Sequence, residues 1–255
     1  MSIVLSILKI LVTTYIIFAL LLFFMQRRLL YLPQEGLQNV DAPEIEFKND
    51  DIVLRGWVVN EGNEKAILYY GGNAETIEAN IAFYRENFPE YTLYLINYRG
   101  FGKSDGNPTE ENLFKDALFI YDQLSSKYEK ISLIGRSLGT GIATYVASKR
   151  NIDKLVLITP FDSILNVAKE TYKIFPFSLL LKDKYESINY VKDINSKTIF
   201  IIAEKDRMIK NSLSMNLYEA FNKEIVELSI IKDAGHNSIS HYTEFTESMK
   251  NFLKY

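Results

Sequence analysis

The 255-residue chain contains no cysteine and only two histidines. The lack of cysteine excludes disulfides, thiolate nucleophiles and zinc-thiolate sites, but leaves the compartment open because reducing and oxidising locations both accept cysteine-free proteins. The histidines, His236 and His241, do not have the i, i+4 spacing of a helical metal site, and no acidic cluster stands around them in the sequence. We therefore expect neither a metal ion nor a cofactor.

Concentrated positive charge is also missing. The formal net charge is -3, acidic and basic residues are interleaved, and no Lys/Arg block is mixed with aromatic residues. This pattern excludes the electrostatic footprint of a nucleic-acid-binding protein. The chain has no internal repeat and no Gly/Ser/Pro-rich linker, so its length predicts one large α/β domain with an N-terminal appendage.

The appendage is a long apolar run over residues 3–25, in which Lys9 is the only charged residue. As a helix this run would span roughly 30 Å, which is enough to cross a bilayer. No small-x-small cleavage site follows it, and Arg27 and Arg28 form a basic stop instead. We expect an uncleaved single-pass membrane anchor over residues 1–28, with the folded domain on the cytoplasmic side because the two arginines outweigh Lys9.

Short apolar runs and helical stretches alternate along residues 29–255, beginning with two β-type runs around a turn at Asn49-Asp50-Asp51. The two runs predict an antiparallel hairpin, and the alternation after them predicts an open, mostly parallel sheet of about eight strands with helices on both faces. A loop-and-helix insertion at about 160–196 predicts a small lid. The predicted strands are 44–48, 52–59, 66–70, 92–97, 130–134, 154–159, 198–203 and 226–230, and the main helices are 75–87, 109–127, 138–149, 210–222 and 240–253.

One motif lies between a predicted strand and a predicted helix. Gly135-Arg136-Ser137-Leu138-Gly139 has the Gly-x-Ser-x-Gly pattern of a nucleophile elbow. A tight turn of this kind lifts the serine hydroxyl clear of the sheet, and the following helix directs its N-terminus at the reacting oxygen. The motif predicts Ser137 as a nucleophile, although the same pattern also occurs in ordinary strand-to-helix turns.

A serine nucleophile needs a base and an orienting acid, which follow it along the chain in this architecture. His236 comes directly after the last predicted strand, where Gly235 is expected to let the loop turn the imidazole toward the elbow; His241 is expected in the last helix, facing solvent. Asp206 follows the strand before and is the favoured acid. Asp162 is a rival from an earlier strand, and Asp233 is closer in sequence but shares the histidine's loop.

An oxyanion hole requires two backbone N–H groups near the serine. The first is expected from Leu138, and the second from Asn73, with Ala74 as the alternative, in the Gly-Gly loop after the third strand. Arg99 and Arg136 are interpreted as residues that brace loops, because a guanidinium does not act as a base near neutral pH.

Four motifs together resemble those of the α/β-hydrolase family, in particular its small membrane-anchored serine hydrolases, a group that includes protein depalmitoylases. They are Gly72-Asn73-Ala74, Asn97-Tyr98-Arg99-Gly100-Phe101-Gly102-Lys103-Ser104, Gly135-Arg136-Ser137-Leu138-Gly139 and Pro160-Phe161-Asp162-Ser163. The resemblance covers nearly everything after Arg27. It implies the α/β-hydrolase fold, a Ser137–Asp206–His236 triad and an anchor at residues 3–25. One departure is Gly71, where many relatives have histidine.

The predicted lid is rich in apolar side chains, which predict an acyl-binding wall if they face the pocket and mere packing if they face the domain. They are Phe161, Ile174, Phe175, Phe177, Leu179, Leu180, Leu181 and Tyr185. We expect hydrolysis of acyl esters or thioesters, with lipid-like acyl groups favoured by the nearby bilayer, through an acyl-serine intermediate. A peptidase or amidase with the same triad and a non-catalytic, membrane-tethered binding protein are the alternatives.

Overall fold

A single eight-stranded sheet organises the chain. The computed structural model describes residues 2–254. The strands are β1 (Glu44–Asn49), β2 (Ile52–Val59), β3 (Lys65–Tyr70), β4 (Thr92–Ile96), β5 (Lys130–Arg136), β6 (Lys154–Ile158), β7 (Lys197–Ala203) and β8 (Val226–Ile231). The helices are α1 (Ser2–Leu30), α2 (Ile81–Asn87), α3 (Glu110–Ser125), α4 (Leu138–Lys149), α5 (Ile164–Thr171), α6 (Phe177–Leu180), α7 (Asn211–Ala220) and α8 (Thr243–Lys254).

The spatial order of the strands is β1-β2-β4-β3-β5-β6-β7-β8. The hairpin β1–β2 is antiparallel, β2 pairs antiparallel with β4, and the pairings from β4 to β8 are all parallel. Because side chains alternate across a strand, each central strand supplies both faces of the sheet. Leu133 of β5 belongs to the core between the sheet and helices α3, α4 and α7, whereas Ile134 belongs to the core between the sheet and helices α2 and α8. The predicted eight-stranded, mostly parallel fold is confirmed.

Element ends differ from the predictions by a few residues, and each difference has a local cause. The helix expected over 75–87 is a 3₁₀ turn at Ile77–Asn80 followed by α2, and 3₁₀ turns are frequent at helix N-termini. The helix expected from residue 109 starts at Glu110, because the Thr109 hydroxyl accepts the N–H of Asn112 at 3.1 Å and caps it. The last helix starts at Thr243, after a 3₁₀ turn at Ile239–His241.

The segment at about 160–196 contains α5, α6 and two 3₁₀ turns, at Ser187–Asn189 and Val191–Asp193. Near its end this segment contacts Glu110 of α3. The Glu110 carboxylate accepts the N–H of Lys184 at 2.6 Å and that of Tyr185 at 3.0 Å. Burial raises the pKa of Glu110, although the two N–H donors partly oppose that rise. This carboxylate at the start of α3 therefore anchors the end of the lid.

Helix α1 is long and apolar enough to cross a membrane. The stretch Ile3–Leu30 has a mean hydropathy of 2.5 over its best window, so by length and composition it qualifies as a span. It continues two residues past the anchor end expected at residue 28. The helix does not stand apart from the domain, because its C-terminal half contacts the lid.

Candidate active site

Ser137 occupies a sharp turn between β5 and α4. Its backbone angles are φ 50° and ψ -117°, a sparsely populated region for a residue with a side chain. The turn is held by a hydrogen bond from the Ser137 N–H to the Ile158 carbonyl at 2.9 Å. The structure therefore has the strained strand-to-helix turn that the Gly-x-Ser-x-Gly motif predicts.

The two motif glycines are required by close backbone approach. A Cβ at Gly135 would lie 2.5 Å from the carbonyl oxygen of Gly139, and a Cβ at Gly139 would lie 2.0 Å from the carbonyl oxygen of Tyr70. Both distances are far below van der Waals contact. The missing side chains thus allow the first turn of α4 to rest directly on the ends of β5 and β3.

Three side chains from three loops form a continuous hydrogen-bonded row. His236 Nε2 lies 3.0 Å from Ser137 Oγ, and His236 Nδ1 lies 2.7 Å from Asp206 Oδ2. The other oxygen of Asp206 accepts the N–H groups of Met208 and Ile209, each at 2.8 Å. These two bonds fix the carboxylate, and the carboxylate in turn orients the imidazole.

The arrangement defines the proton positions of a neutral His236. A carboxylate oxygen beside Nδ1 favours the tautomer that carries its hydrogen there, so Nε2 is left with a lone pair facing the serine hydroxyl. The side chains of His236 and Asp206 are 7% and 2% exposed, so bulk water does not compete for these bonds. The geometry is suited to proton transfer from Ser137 to His236.

The rival acids and the second histidine lie elsewhere. Asp162 is buried, and one of its oxygens accepts from Asn166 at 3.0 Å and from Asn216 at 2.7 Å, so it ties α5 to α7. Asp233 forms an exposed ion pair with a lysine. His241 is exposed, as expected, but it lies in the 3₁₀ turn before α8 and not in the last helix, where it was expected. Of the three carboxylates considered, the structure brings only Asp206 to His236.

The expected role of Gly235 is not supported. The φ angle of Gly235 is not positive, and a Cβ there would meet Ser238 Oγ at 3.5 Å, which is ordinary contact. The unusual backbone angle in this loop is at Asp233, with φ 61°. Aspartate tolerates the left-handed region better than most residues. The left-handed backbone of this loop thus occurs two residues before Gly235.

The loop after β3 lies against the elbow. A Cβ at Gly72 would lie 3.7 Å from Ser137 Cβ, and Asn73 lines the same cavity as Ser137 and Leu138. The Gly72 N–H is already donated to Glu75 Oε2 at 2.5 Å. The Leu138 N–H, at the first position of α4, has no intrahelical acceptor. Asn73 and Ala74 both line a second depression that Ser137 and His236 border, so both candidates for the second N–H lie near the serine.

A partly buried polar cluster supports this loop. Glu75 accepts hydrogen bonds from Tyr69 Oη and Asn80 Nδ2, each at 2.7 Å, and from Arg136 Nη1 at 3.3 Å. Burial raises the pKa of Tyr69 well above its usual value, so the phenol stays a donor. Arg136 therefore braces the loop, as expected. Sequence reasoning assigned no role to Glu75, and its only signal was an acidic residue directly after the Gly-Gly pair.

Arg99, the second arginine interpreted as a brace, also has that role. Its guanidinium donates to both oxygens of Asp116, at 2.5 and 2.7 Å, and Asn49 donates to the same carboxylate at 2.7 Å. The hydrogen bond to Asp116 raises the pKa of Arg99. This buried group connects the turn after β4 to α3 and to β1.

An apolar cavity of about 240 Å³ opens beside Ser137 and His236. Of the eight apolar residues expected to form an acyl-binding wall, Phe161, Phe177 and Leu181 line it and the other five do not. The remaining lining comes from α1, from α5 and the residue after it, from the loop at Asp206, from the loop after β3 and from the start of α4. These residues are Leu22, Gln26, Leu29, Leu30, Ile164, Val167, Ala168, Thr171, Tyr172, Met208, Ile209, Asn73 and Leu138.

The residues from α5 and α1 were missed by sequence reasoning, which assigned the wall to the lid's aromatic and leucine residues. Their signal was spacing: Ile164, Val167, Ala168 and Thr171 follow the i, i+3, i+4, i+7 pattern of one helical face. Within residues 2–254 no group of three or more acidic or histidine side chains is arranged to hold a metal ion.

A family profile described as the alpha/beta hydrolase fold matches residues 66–182, which include β3, the elbow and the start of the lid. Together with the order of the strands, this match shows that the chain has the α/β-hydrolase fold. An uncharacterised protein of Mycobacterium tuberculosis is 29% identical over 228 residues, covering 83% of this chain and 80% of that protein. Human alpha/beta hydrolase domain-containing protein 17C is 29% identical over 199 residues, covering 74% of this chain and 58% of that longer protein.

Solved structures agree on the fold of this α/β-hydrolase. An esterase of Pyrococcus furiosus superposes with a TM-score of 0.67 at 22% sequence identity, covering 88% of this chain and 98% of that one. At this identity the likeness concerns the fold alone.

Proposed function

We propose that this α/β-hydrolase cleaves acyl esters or thioesters through an acyl-enzyme intermediate on Ser137. The observation that carries the proposal is the hydrogen-bonded row from Ser137 through His236 to Asp206 at the mouth of an apolar cavity. The row supplies a nucleophile, a base and an orienting acid, and the cavity suits an acyl chain.

In the proposed reaction, Ser137 Oγ attacks the carbonyl carbon while its proton moves to His236 Nε2. The N–H groups of Leu138 and Asn73 stabilise the oxyanion. The tetrahedral intermediate collapses, the bond to the alcohol or thiol breaks, and His236 gives its proton to that leaving group. Water then attacks the acyl-serine, assisted by the same imidazole, and releases the carboxylic acid and free Ser137.

Labelling with a fluorophosphonate probe tests the activated serine in the full chain. We expect Ser137→Ala to abolish labelling and His236→Ala to slow it by about 10²–10⁴-fold, the usual contribution of a general base. His241→Ala is the matched control, because His241 is exposed and away from the row, and it should label at the wild-type rate. A folded wild type that does not label would instead favour a non-catalytic binding protein.

The acyl class is tested by comparing ester, thioester and amide forms of one acyl group. We expect turnover of the ester or thioester to exceed that of the amide, because resonance stabilises an amide more strongly and its nitrogen must be protonated before it can leave. A faster amide reaction would support a peptidase or amidase with the same triad.

We also propose that α1 anchors the enzyme in a bilayer as a single-pass helix. Its length and hydropathy support this, and Arg27 and Arg28 at its end favour a cytoplasmic position for the domain.

A further inference from the structure

Part of the cavity wall comes from α1. Leu22, Gln26, Leu29 and Leu30 line the same cavity as Ser137. Their spacing of i, i+4, i+7 and i+8 puts them on one face of the helix. The helix expected only to anchor the protein therefore also presents a stripe of side chains to the reactive site.

The same face of α1 is attached to the lid over a long distance. Gln26 donates from Nε2 to the Leu180 carbonyl at 3.0 Å and accepts the Lys182 N–H at 2.6 Å. Three turns earlier, the Tyr15 hydroxyl donates to the Ile174 carbonyl at 2.9 Å. The ring of Tyr15 also stacks on the ring of Phe175, with centroids 5.3 Å apart. The lid is thus bound along α1 rather than resting on the domain alone.

A polar clamp closes the domain end of this contact. Arg27 donates to both oxygens of Asp183, at 2.8 and 3.0 Å, and the Tyr31 hydroxyl donates to the same carboxylate at 3.2 Å. Tyr31 and Tyr185 share a further hydroxyl contact at 2.8 Å. The Asp183 side chain is only 5% exposed, so its pairing with Arg27 sets the register between α1 and the lid.

The contacts fix the depth of the lid relative to α1. Tyr15 and Leu30 are separated by about 22 Å along the helix at 1.5 Å per residue. A lid segment that touches Tyr15 therefore lies beside the middle of the stretch that is able to span a bilayer. Exposed apolar side chains occur at both ends of this contact: Ile174, whose carbonyl meets Tyr15, is 72% exposed, and Leu179, next to the residue that meets Gln26, is 83% exposed. Exposed apolar side chains favour a hydrocarbon environment, and an α1 helix that spans a bilayer would place them next to the lipid tails.

We infer that α1 is one wall of the acyl-binding site and that long acyl chains enter it from the bilayer between α1 and the lid. The inference rests on the proposed function. It assigns the substrate class as long-chain acyl groups, with the acyl chain already in the membrane, attached to an alcohol or thiol at the membrane surface.

The position of Leu22 defines the far end of this path. The Leu30 carbonyl accepts a hydrogen bond from Asn73 Nδ2 at 2.9 Å, so the Leu30 end of the stripe adjoins the proposed oxyanion loop. Leu22 lies about 12 Å further along the helix at 1.5 Å per residue. An acetyl group bound at Ser137 does not reach Leu22, whereas a hexadecyl or palmitoyl chain that follows the stripe does.

Leu22→Trp is designed to obstruct this far end in the full-length chain, solubilised in detergent micelles. The readout is the ratio of Ser137 labelling rates with hexadecyl and ethyl fluorophosphonates. We expect the ratio to fall by about 10-fold or more, the usual range for steric discrimination along an apolar pocket; dividing by the ethyl rate corrects for any general loss of labelling. Leu20→Trp is the matched control, since Leu20 is half exposed on the opposite face of α1 and should leave the ratio unchanged.

Leu22→Ala provides a second variant in case tryptophan disturbs folding. It removes contact with the acyl chain without blocking the path, so we expect a smaller fall in the ratio. An unchanged ratio in Leu22→Ala, or in Leu22→Trp with ethyl labelling intact, would overturn the inference while leaving the proposed function standing. If the wild type labels with neither probe, the proposed function fails and the inference fails with it.

Discussion

The elbow depends on the contact between Gly139 and the end of β3, and Gly139→Ala is the substitution that tests it. An alanine Cβ would lie 2.0 Å from the Tyr70 carbonyl oxygen and 2.7 Å from that of Gly71. Both obstacles are backbone atoms of a central strand and the loop after it. Relief requires the first turn of α4 to move away from β3 by more than about 1 Å, the distance needed to restore van der Waals contact.

A shift of that size has separable effects on stability and reactivity. Overpacking of a well-packed interior costs about 1–3 kcal/mol, which corresponds to a fall in melting temperature of roughly 2–12 °C for a chain of this size. The same shift displaces Ser137 from His236 and from the loop at Asn73. Misplacement by about 1 Å typically costs about 10²-fold in rate, so we expect fluorophosphonate labelling of Gly139→Ala to be about 100-fold slower.

The assay combines labelling rates with thermal unfolding of the full-length protein. Gly235→Ala is the matched control, because its added Cβ would meet nothing closer than 3.5 Å and both measurements should stay at wild-type values. A labelling rate for Gly139→Ala within threefold of wild type would refute the argument that backbone contact at this glycine holds the serine in place.

Two further predictions concern ion pairs of different burial. Asp116→Ala leaves the buried Arg99 guanidinium unpaired, so it should cost about 3–5 kcal/mol and lower the melting temperature by roughly 10 °C; a shift below about 2 °C would contradict this. The hydrogen bond from Arg150 lowers the pKa of Asp122 in the folded protein. The pair therefore stabilises the fold fully at pH values above the unfolded-state pKa of Asp122, and this stabilisation is lost as the pH falls through the lower folded-state pKa. Because both side chains are partly exposed, Asp122→Asn should cost less than about 1 kcal/mol at neutral pH and nothing at pH below the folded-state pKa. Urea denaturation at a series of pH values measures this difference, and an equal cost at all pH values would disprove it.

The sheet was predictable because its strands have a recognisable local sequence pattern. The central parallel strands are buried on both faces, so runs such as Lys154–Ile158 read as short apolar segments between helical stretches. The Gly-x-Ser-x-Gly turn was also readable, since its glycines are required by contacts within a few residues and with the adjoining strand. The confirmed features are those that depend on local pattern and on the general rules of parallel sheets.

Features that depend on long-range packing were missed or left open. Position in the chain favoured Asp206 but kept Asp162 and Asp233 as rivals, because all three follow strands and the distance to His236 is a tertiary property. Five of the eight residues expected in the cavity wall do not line it, since an apolar side chain in a loop has the same sequence signature whether it faces a cavity, the domain or the outside. Leu179, expected in the wall, is among the most exposed side chains of the lid.

The sequence by itself determined the order of strands and helices, the serine turn and the apolar character of α1, because these follow from hydrophobic periodicity and from residues near one another in the chain. Only the tertiary structure decided which carboxylate meets His236 and which side chains surround Ser137. It also decided that α1 packs on the lid through Gln26 and Arg27. Those outcomes depend on contacts between residues about 30 to 160 positions apart, which no local pattern encodes.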